Sequence, residues 1–366
     1  MPAGIIPARE RIVRVCPNAL GKRGGFIIQE TQKKQNVVIR FAGDFTQAEQ
    51  GTPQYIKMAI MEAFDRCHGG DITQVFSPAL LNLMKSADIF MLNNEYTYTL
   101  RGKPLPGKQW VFRARPERVE NLHKMGVDLV GIANNHIYDW GEESFVDTLE
   151  TLTNAGVKFV GAGNNIEEAM RAEIFEIGGR KFSFVCCTSI EKNARFSKNA
   201  TENSGGVLNF TTDPEKTIEA VENAKAKSDY CFVFVHWGNE KTSVINEEQK
   251  TWGRKLIDAG ADAVIGNHAH VLQGFEFYRN KPILYSLGNF WFNSFRRVTC
   301  LLEFNVHLED LTTEIRFLPC LQKHCRTKLM EDFFSRFRTI KYMEYISVNA
   351  AIDKNGFVKA KKNSGK

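Results

Sequence analysis

The chain has 366 residues, 43% of them hydrophobic and 25% charged, with a formal net charge of +6. That length buries a large core, as one domain with appendages or as two modest ones, and the composition is that of an ordinary soluble globular protein. The charge is compatible with an anionic substrate but too weak to argue for nucleic acid, and part of it sits in a tail of Lys359, Lys361, Lys362 and Lys366.

No stretch approaches the run of about 18 apolar residues that a membrane span needs. The N-terminus is basic (Arg9, Arg11, Arg14, Lys22, Arg23), and no apolar segment of a secretory signal follows it. The eight cysteines lack the regular spacing of a disulfide framework, and no CxxC pair suggests a thiolate zinc site. They read as buried thiols of a reducing compartment, so the expected location is the cytoplasm.

Residues 1–35 have few apolar periods and form a basic extension ahead of the core. Val37 to Ala42 is a strand by its β-branched content and ends on Gly43-Asp44. Ser77 caps a helix that begins with Pro78 and runs through Met84. Ile89 to Leu92 is the next strand, ending on Asn93-Asn94-Glu95. A Gly/Pro/Lys-rich loop from Arg101 to Arg115 precedes a helix from Pro116 to Met125, capped by Gly126. Leu129 to Ala133 is a strand leading into Asn134-Asn135-His136. Phe145, Leu149 and Leu152 mark a helix from Glu142 to Ala155, stopped by Gly156.

Gly178-Gly179 joins Ile174–Ile177 to Lys181–Cys187 as a hairpin. Thr188 to Thr212 has little periodicity and reads as a functional or mobile loop. A helix through Ile218, Val221 and Ala224 precedes a strand from Tyr230 to Val235 that ends on His236-Trp237-Gly238. A helix through Trp252, Leu256 and Ala259 precedes the strand Ala263 to Gly266, which leads to His268. A second hairpin turns at Arg279-Asn280, a strand follows from Cys300 to Val306, and a Phe/Met-rich helix runs from Leu329 to about Lys341. Alternating strands and helices followed by hairpins argue for an α/β sandwich with mixed sheets. The expected division is 1–35 extension, 36–320 main domain, and 321–366 a C-terminal helical segment with a basic tail.

The polar residues of interest stand at the carboxyl ends of these strands: Asp44, Glu95, Asn135, His136, His236, His268 and His270. In open α/β folds that edge is where ligands bind. On an extended chain, side chains two apart point the same way, so His268 and His270 are expected to converge. Mixed imidazole, carboxylate and amide donors suit Mn, Fe, Zn or Co, and fit neither an all-oxygen Ca²⁺ cage nor a thiolate site. Two ions about 3.5–4 Å apart, sharing one carboxylate, suit phosphoester hydrolysis.

These segments resemble the CapA family of capsule and poly-γ-glutamate synthesis, among the calcineurin-like metallophosphoesterases. The matching pieces, in family order, are Gly43-Asp44, Asn93-Asn94-Glu95, Ala133 to Gly141, Phe159 to Gly163, His236 to Glu240, His268 to Gly274 and Tyr285 to Phe290. The resemblance implies a four-layer α/β/β/α sandwich and a dinuclear metallohydrolase in which metal-activated hydroxide attacks a phosphoester. Asp44 and His270 would hold one ion, Glu95 would bridge, and Asn135, His236 and His268 would hold the other. His136 would stand beside the leaving group as general acid or charge stabiliser, oriented by Asp139. Thr46 stands where the wider superfamily has a histidine, and Asn267 where many relatives carry another.

Arg101, Lys108 and Arg113, in the loop after Glu95, are candidate contacts for an anionic small molecule or polymer; Arg195, Lys198, Arg296 and Arg297 are further cations. Trp237 and Trp291 read as core packing. The implied role is in making or trimming an anionic surface polymer, alongside polymer-synthesis partner proteins. Two rivals remain open: a non-catalytic, metal-stabilised scaffold, and amide-bond hydrolysis or transfer on poly-γ-glutamate.

Overall fold

The computed structural model describes residues 34–48, 60–190, 196–292 and 296–361. The basic extension, apart from its last two residues, and Arg195 lie outside the described residues.

Two mixed sheets build the α/β fold. The larger has ten strands and centres on Asn36–Phe45. On one side this strand pairs in parallel with Ile89–Asn94, followed by Leu129–Gly131 and Lys158–Val160; on the other it pairs antiparallel with Arg297–His307. Thr313–Lys323 comes next, then Phe357–Ala360 and Ala350–Ile352. The smaller sheet has six strands, with Arg180–Thr188, Tyr230–His236, Ala263–Asn267 and Lys281–Leu287 in parallel and antiparallel strands at both edges.

The strand Tyr230–His236 shows why its sequence is a continuous apolar run. Phe232 and Phe234 join the core shared with the larger sheet, while Cys231, Val233 and Val235 pack with Val221 and Ala224 of the helix Pro214–Ala226 and with Leu256 of the helix Glu247–Asp258. A parallel strand covered on both faces needs apolar side chains at every position. Between the sheets, the Phe41 ring lies 5.2 Å from Phe232 and 5.7 Å from Phe304.

The expected hairpins form at Gly178-Gly179 (φ 60 and 81) and at Arg279-Asn280 (φ 49 and 61), in the left-handed geometry of tight two-residue turns. The first helix after Ser77 runs Pro78–Ser86, with the Ser77 side chain accepting from the Leu80 N–H. The Pro116 helix begins as a 3₁₀ turn, Pro116–Val119, before continuing as Glu120–Met125 to a left-handed Gly126.

Two expectations need correction. The stretch 188–212 is partly built into the fold: Gly206–Val207 pairs antiparallel with Ala162–Gly163, and Ala200, Leu208 and Phe210 are buried. Its pairings are a two-residue ladder and isolated bridges, too short to leave a periodicity to read. The C-terminal region is also richer in strands than expected. Thr313–Lys323 runs across residue 320, Arg326–Leu329 pairs with it, and the helix is Phe333–Tyr345, starting four residues later than Leu329. Pro319 inside Thr313–Lys323 masks that strand, since proline removes a ladder donor. Among the described residues, no helix is long and apolar enough to cross a membrane, and the cysteines are free thiols, all buried except Cys67.

One close approach sets the position of Asp44. The Asp44 N–H donates to the Gly288 carbonyl at 3.1 Å, and a Cβ on Gly43 would lie 1.9 Å from that same oxygen. Gly43→Ala therefore forces the two segments apart and should cost about 1–3 kcal/mol, the usual range for overpacking a core. Urea denaturation measures this, and a midpoint equal to that of the parent protein would show that the contact gives way without strain.

Candidate metal centre

Every strand that feeds the centre contributes from its carboxyl end. Asp44 is the last residue but one of the central strand of the larger sheet and pairs in register with Asn93, which pairs with Gly131 just ahead of Asn134-Asn135-His136. Across the gap, His236 closes its strand beside Asn267, the last residue before His268. His268 and His270 do converge, with ring centroids 6.1 Å apart, but not by strand alternation. The strand ends at Asn267, and both histidines adopt positive φ, 86 and 57. A left-handed turn brings them together, held by the His268 N–H donating to Asp44 Oδ1 at 3.2 Å.

The candidate ligands form two triads: Asp44, Glu95 and His270, and Glu95, His236 and His268, each with its donor atoms within 4.8 Å of one another. Glu95 belongs to both. Its Oε1 atom is buried without a hydrogen-bond partner and lies 3.8 Å from Nε2 of each of His136, His236 and His270. Asn135 Oδ1 lies 2.9 Å from His236 Nε2, so the amide reaches the second triad. His136 belongs to neither triad.

Burial and neighbouring charge set the protonation states. Burial, reinforced by Asp44, pushes the Glu95 carboxyl well above its ordinary range. Burial would raise Asp44 too, but the His270 hydrogen bond and charge, with help from Asn93 and the His268 N–H, hold it below the usual value. Burial and nearby imidazoles push His268 down to about 3 and His236 well below the usual histidine range. Burial opposes protonation of His270 as well, yet contact with Asp44 raises it. His236 and His268 are thus neutral, the form in which imidazole ligates a metal.

His136 Nδ1 lies 2.6 Å from Asp139 Oδ2, which also accepts from the Phe112 N–H at 2.5 Å. Burial lowers the His136 pKa, with Asp139 pulling the other way. Of the three candidate cations, Lys108 has contacts that lead into the centre, through Asp139 and the Asn135 carbonyl. Arg101 is instead held by Asp147, and Arg113 lies 3.5 Å over the Trp140 ring. Trp237 and Trp291 are fully buried and donate to the carbonyls of Tyr285 and Cys325, as core residues do.

Two residues of the centre, Asn93 and Asn289, are not marked as ligands by their place in the sequence. Asn93 Nδ2 lies 2.9 Å from Asp44 Oδ1, 3.2 Å from Glu95 Oε2 and 3.3 Å from His236 Nδ1, tying both triads together. Asn289 Oδ1 accepts from His270 Nδ1 at 2.7 Å, which turns Nε2 toward Glu95. The signal for Asn93 was present, because it sits two residues before Glu95, on the same side of an extended chain.

Three relatives show likeness at the level of sequence. The chain is 29% identical over 238 residues to the capsule biosynthesis protein CapA of Bacillus anthracis, covering 63% of this chain and 57% of that one. It is 33% identical over 187 residues to the PGA biosynthesis protein CapA of Bacillus subtilis, covering 51% and 48%. It is 29% identical over 210 residues to a probable polyglutamine synthesis accessory protein of Mycobacterium tuberculosis, covering 56% and 55%. The chain thus spans about half the length of the curated relatives it matches. The model of one protein family, bacterial capsule synthesis protein PGA_cap, matches residues 38–294, a span that contains Asp44, Glu95, Asn135, His136, His236, His268 and His270, and the chain belongs to that family.

Proposed function

We propose that the chain is a metal-dependent phosphoester hydrolase that serves the synthesis or trimming of an anionic surface polymer. The observation that carries this reading is Glu95, shared by two triads with Oε1 left unpartnered among three imidazoles. A buried carboxylate oxygen without a donor is unfavourable unless a cation takes that role. Imidazole, carboxylate and amide donors suit Mn, Fe, Zn or Co, and one shared carboxylate suits two such ions. Helices packed outside the smaller sheet, and two sheets packed face to face, support the four-layer arrangement of the metallophosphoesterases.

Divalent ions held there would supply Lewis-acid activation of water and of the phosphoryl group. The chain's own residues do the rest. Asp44, with its low pKa, stays a carboxylate, and Asn289 and Asp44 orient His270 through Nδ1. Asp139 holds His136 by Nδ1, leaving Nε2 as the atom that exchanges a proton with the leaving oxygen. The name of the Bacillus subtilis relative supports a polymer of the poly-γ-glutamate type, and that of the Mycobacterium tuberculosis relative supports partner proteins in its synthesis.

Metal analysis of the purified protein, joined to a screen of phosphomonoesters and phosphodiesters, tests the reading. Two ions per chain with phosphoester turnover are expected. Bound metal with cleavage of γ-glutamyl amides alone would replace it with the amide reading, bound metal without turnover would leave the metal-stabilised scaffold, and absence of bound metal would overturn the metal centre itself. His136→Ala should lower turnover by about 10²–10⁴-fold with metal content intact; loss of metal in that variant would make His136 a ligand.

The metal-free protein should also respond to acid. His236 and His268 have folded pKa values below the ordinary 6.5, so the unfolded chain binds more protons than the folded one as pH falls through that value, and stability is lost. Glu95 and His270, both raised, act in the opposite sense, while His136, lowered by burial, adds to the first side, so three groups of the centre oppose two. The melting temperature of chelator-treated protein should therefore drop between pH 7 and pH 5. A rise over that interval would show that Glu95 and His270 dominate.

A further inference from the structure

Lys108 was expected to meet an anionic substrate, yet its side chain is only 6% exposed. Its ammonium lies 2.7 Å from Asp139 Oδ1, donates to the main-chain carbonyl of Asn135, and sits 5.7 Å over the Phe196 ring. Asp139 Oδ1 is buried and has no hydrogen-bond partner beyond this ion pair, so the fixed position of that carboxylate depends on Lys108. The other oxygen, Oδ2, takes His136 Nδ1 and the Phe112 N–H. The loop is tied to the same residue a second time, by the Leu105 N–H donating to the Asp139 carbonyl at 3.0 Å.

We infer that Lys108 is a positioning residue, whose single ammonium fixes both the Asn135 main chain, and through it a candidate ligand amide, and the Asp139 carboxylate that aims His136. This role rests on the proposed hydrolase for its kinetic part and on the metal centre alone for its binding part. Two of the three donors of this buried ammonium are committed to fixed acceptors, which leaves little of it for a substrate anion, and its removal strands Asp139 Oδ1. The carboxylate then turns to find another donor and releases His136, while the Asn135 segment loses its anchor. The Phe112 ring, 4.5 Å from His136, would shift with it, since Asp139 Oδ2 holds the Phe112 backbone.

The test uses the full chain with Lys108→Met, Lys108→Arg, Asp139→Asn and the double variant K108M/D139N. Should K108M fail to fold, Lys108→Gln, which is polar but uncharged and one bond shorter, takes its place with the same expected losses. Calorimetric titration with Co²⁺, together with the visible spectrum of the bound ion, reads the centre without requiring turnover. K108M should weaken Co²⁺ binding by about 10–100-fold, as loss of an outer-shell partner does, and K108R should recover part of it. With bis(p-nitrophenyl) phosphate as substrate, K108M should lower kcat by about 100-fold with KM unchanged. The double variant should be no slower than the slower single variant, because the two residues act as one unit.

A raised KM with unchanged kcat would make Lys108 a substrate contact and overturn the inference. So would Co²⁺ binding and spectrum identical to those of the parent, or kinetic costs that add in the double variant. If parent and variants alike hydrolyse no phosphoester while K108M still weakens Co²⁺, the hydrolase reading fails and the positioning role stands.

Discussion

A carboxylate oxygen buried among imidazoles, with nothing to donate to it, is the constraint on which this structure turns. Glu95 Oε1 lies 3.8 Å from three Nε2 atoms, too far for a hydrogen bond to any of them. Desolvation of a charged group in such a place costs several kcal/mol unless a cation or proton compensates. Around it, Asn93 bonds to both carboxylates, Asp44 takes His270, and His236 and His268 stay neutral. Each of these features makes sense around positive charge held between the two triads.

Converging six donors requires the two sheets to meet at their carboxyl ends with little freedom. Five strands deliver ligands from two different sheets, so an error in the packing between them would be felt at the centre. The aromatic layer around Phe41 fixes the gap, and the absence of a side chain at Gly43 lets the Asp44 strand close on Gly288 and Asn289. Asn289 then steadies His270 from the far side. The supports of the centre are backbone contacts and buried amides, with the buried ion pair of Lys108 and Asp139 beside it.

Most of the strand and helix pattern was legible because burial on both faces writes a continuous apolar run, as in Tyr230–His236, and because capping residues such as Ser77 and Gly126 stand at element ends. The metal-ligand candidates were legible for a related reason: Asp44, Glu95 and His236 stand at or just beyond the carboxyl ends of apolar strands, where a polar residue has no packing purpose. Three matters were not legible. The left-handed turn at His268 and His270 depends on a tertiary hydrogen bond to Asp44, which no local pattern encodes. The burial of Lys108 depends on a loop folding back on Asp139, so its composition read as a source of cations for an anionic substrate. The strand Thr313–Lys323 was obscured by Pro319, whose missing donor is tolerated where it lies.

The central claim is that Glu95 sits between two cations. A crystal structure of the protein loaded with Mn²⁺ or Zn²⁺, with anomalous diffraction collected at the metal edge, addresses it directly. The account predicts two anomalous peaks about 3.5–4 Å apart, one beside Asp44 and His270, the other beside His236, His268 and Asn135, with Glu95 in contact with both. A single peak, or peaks away from Glu95, would contradict it.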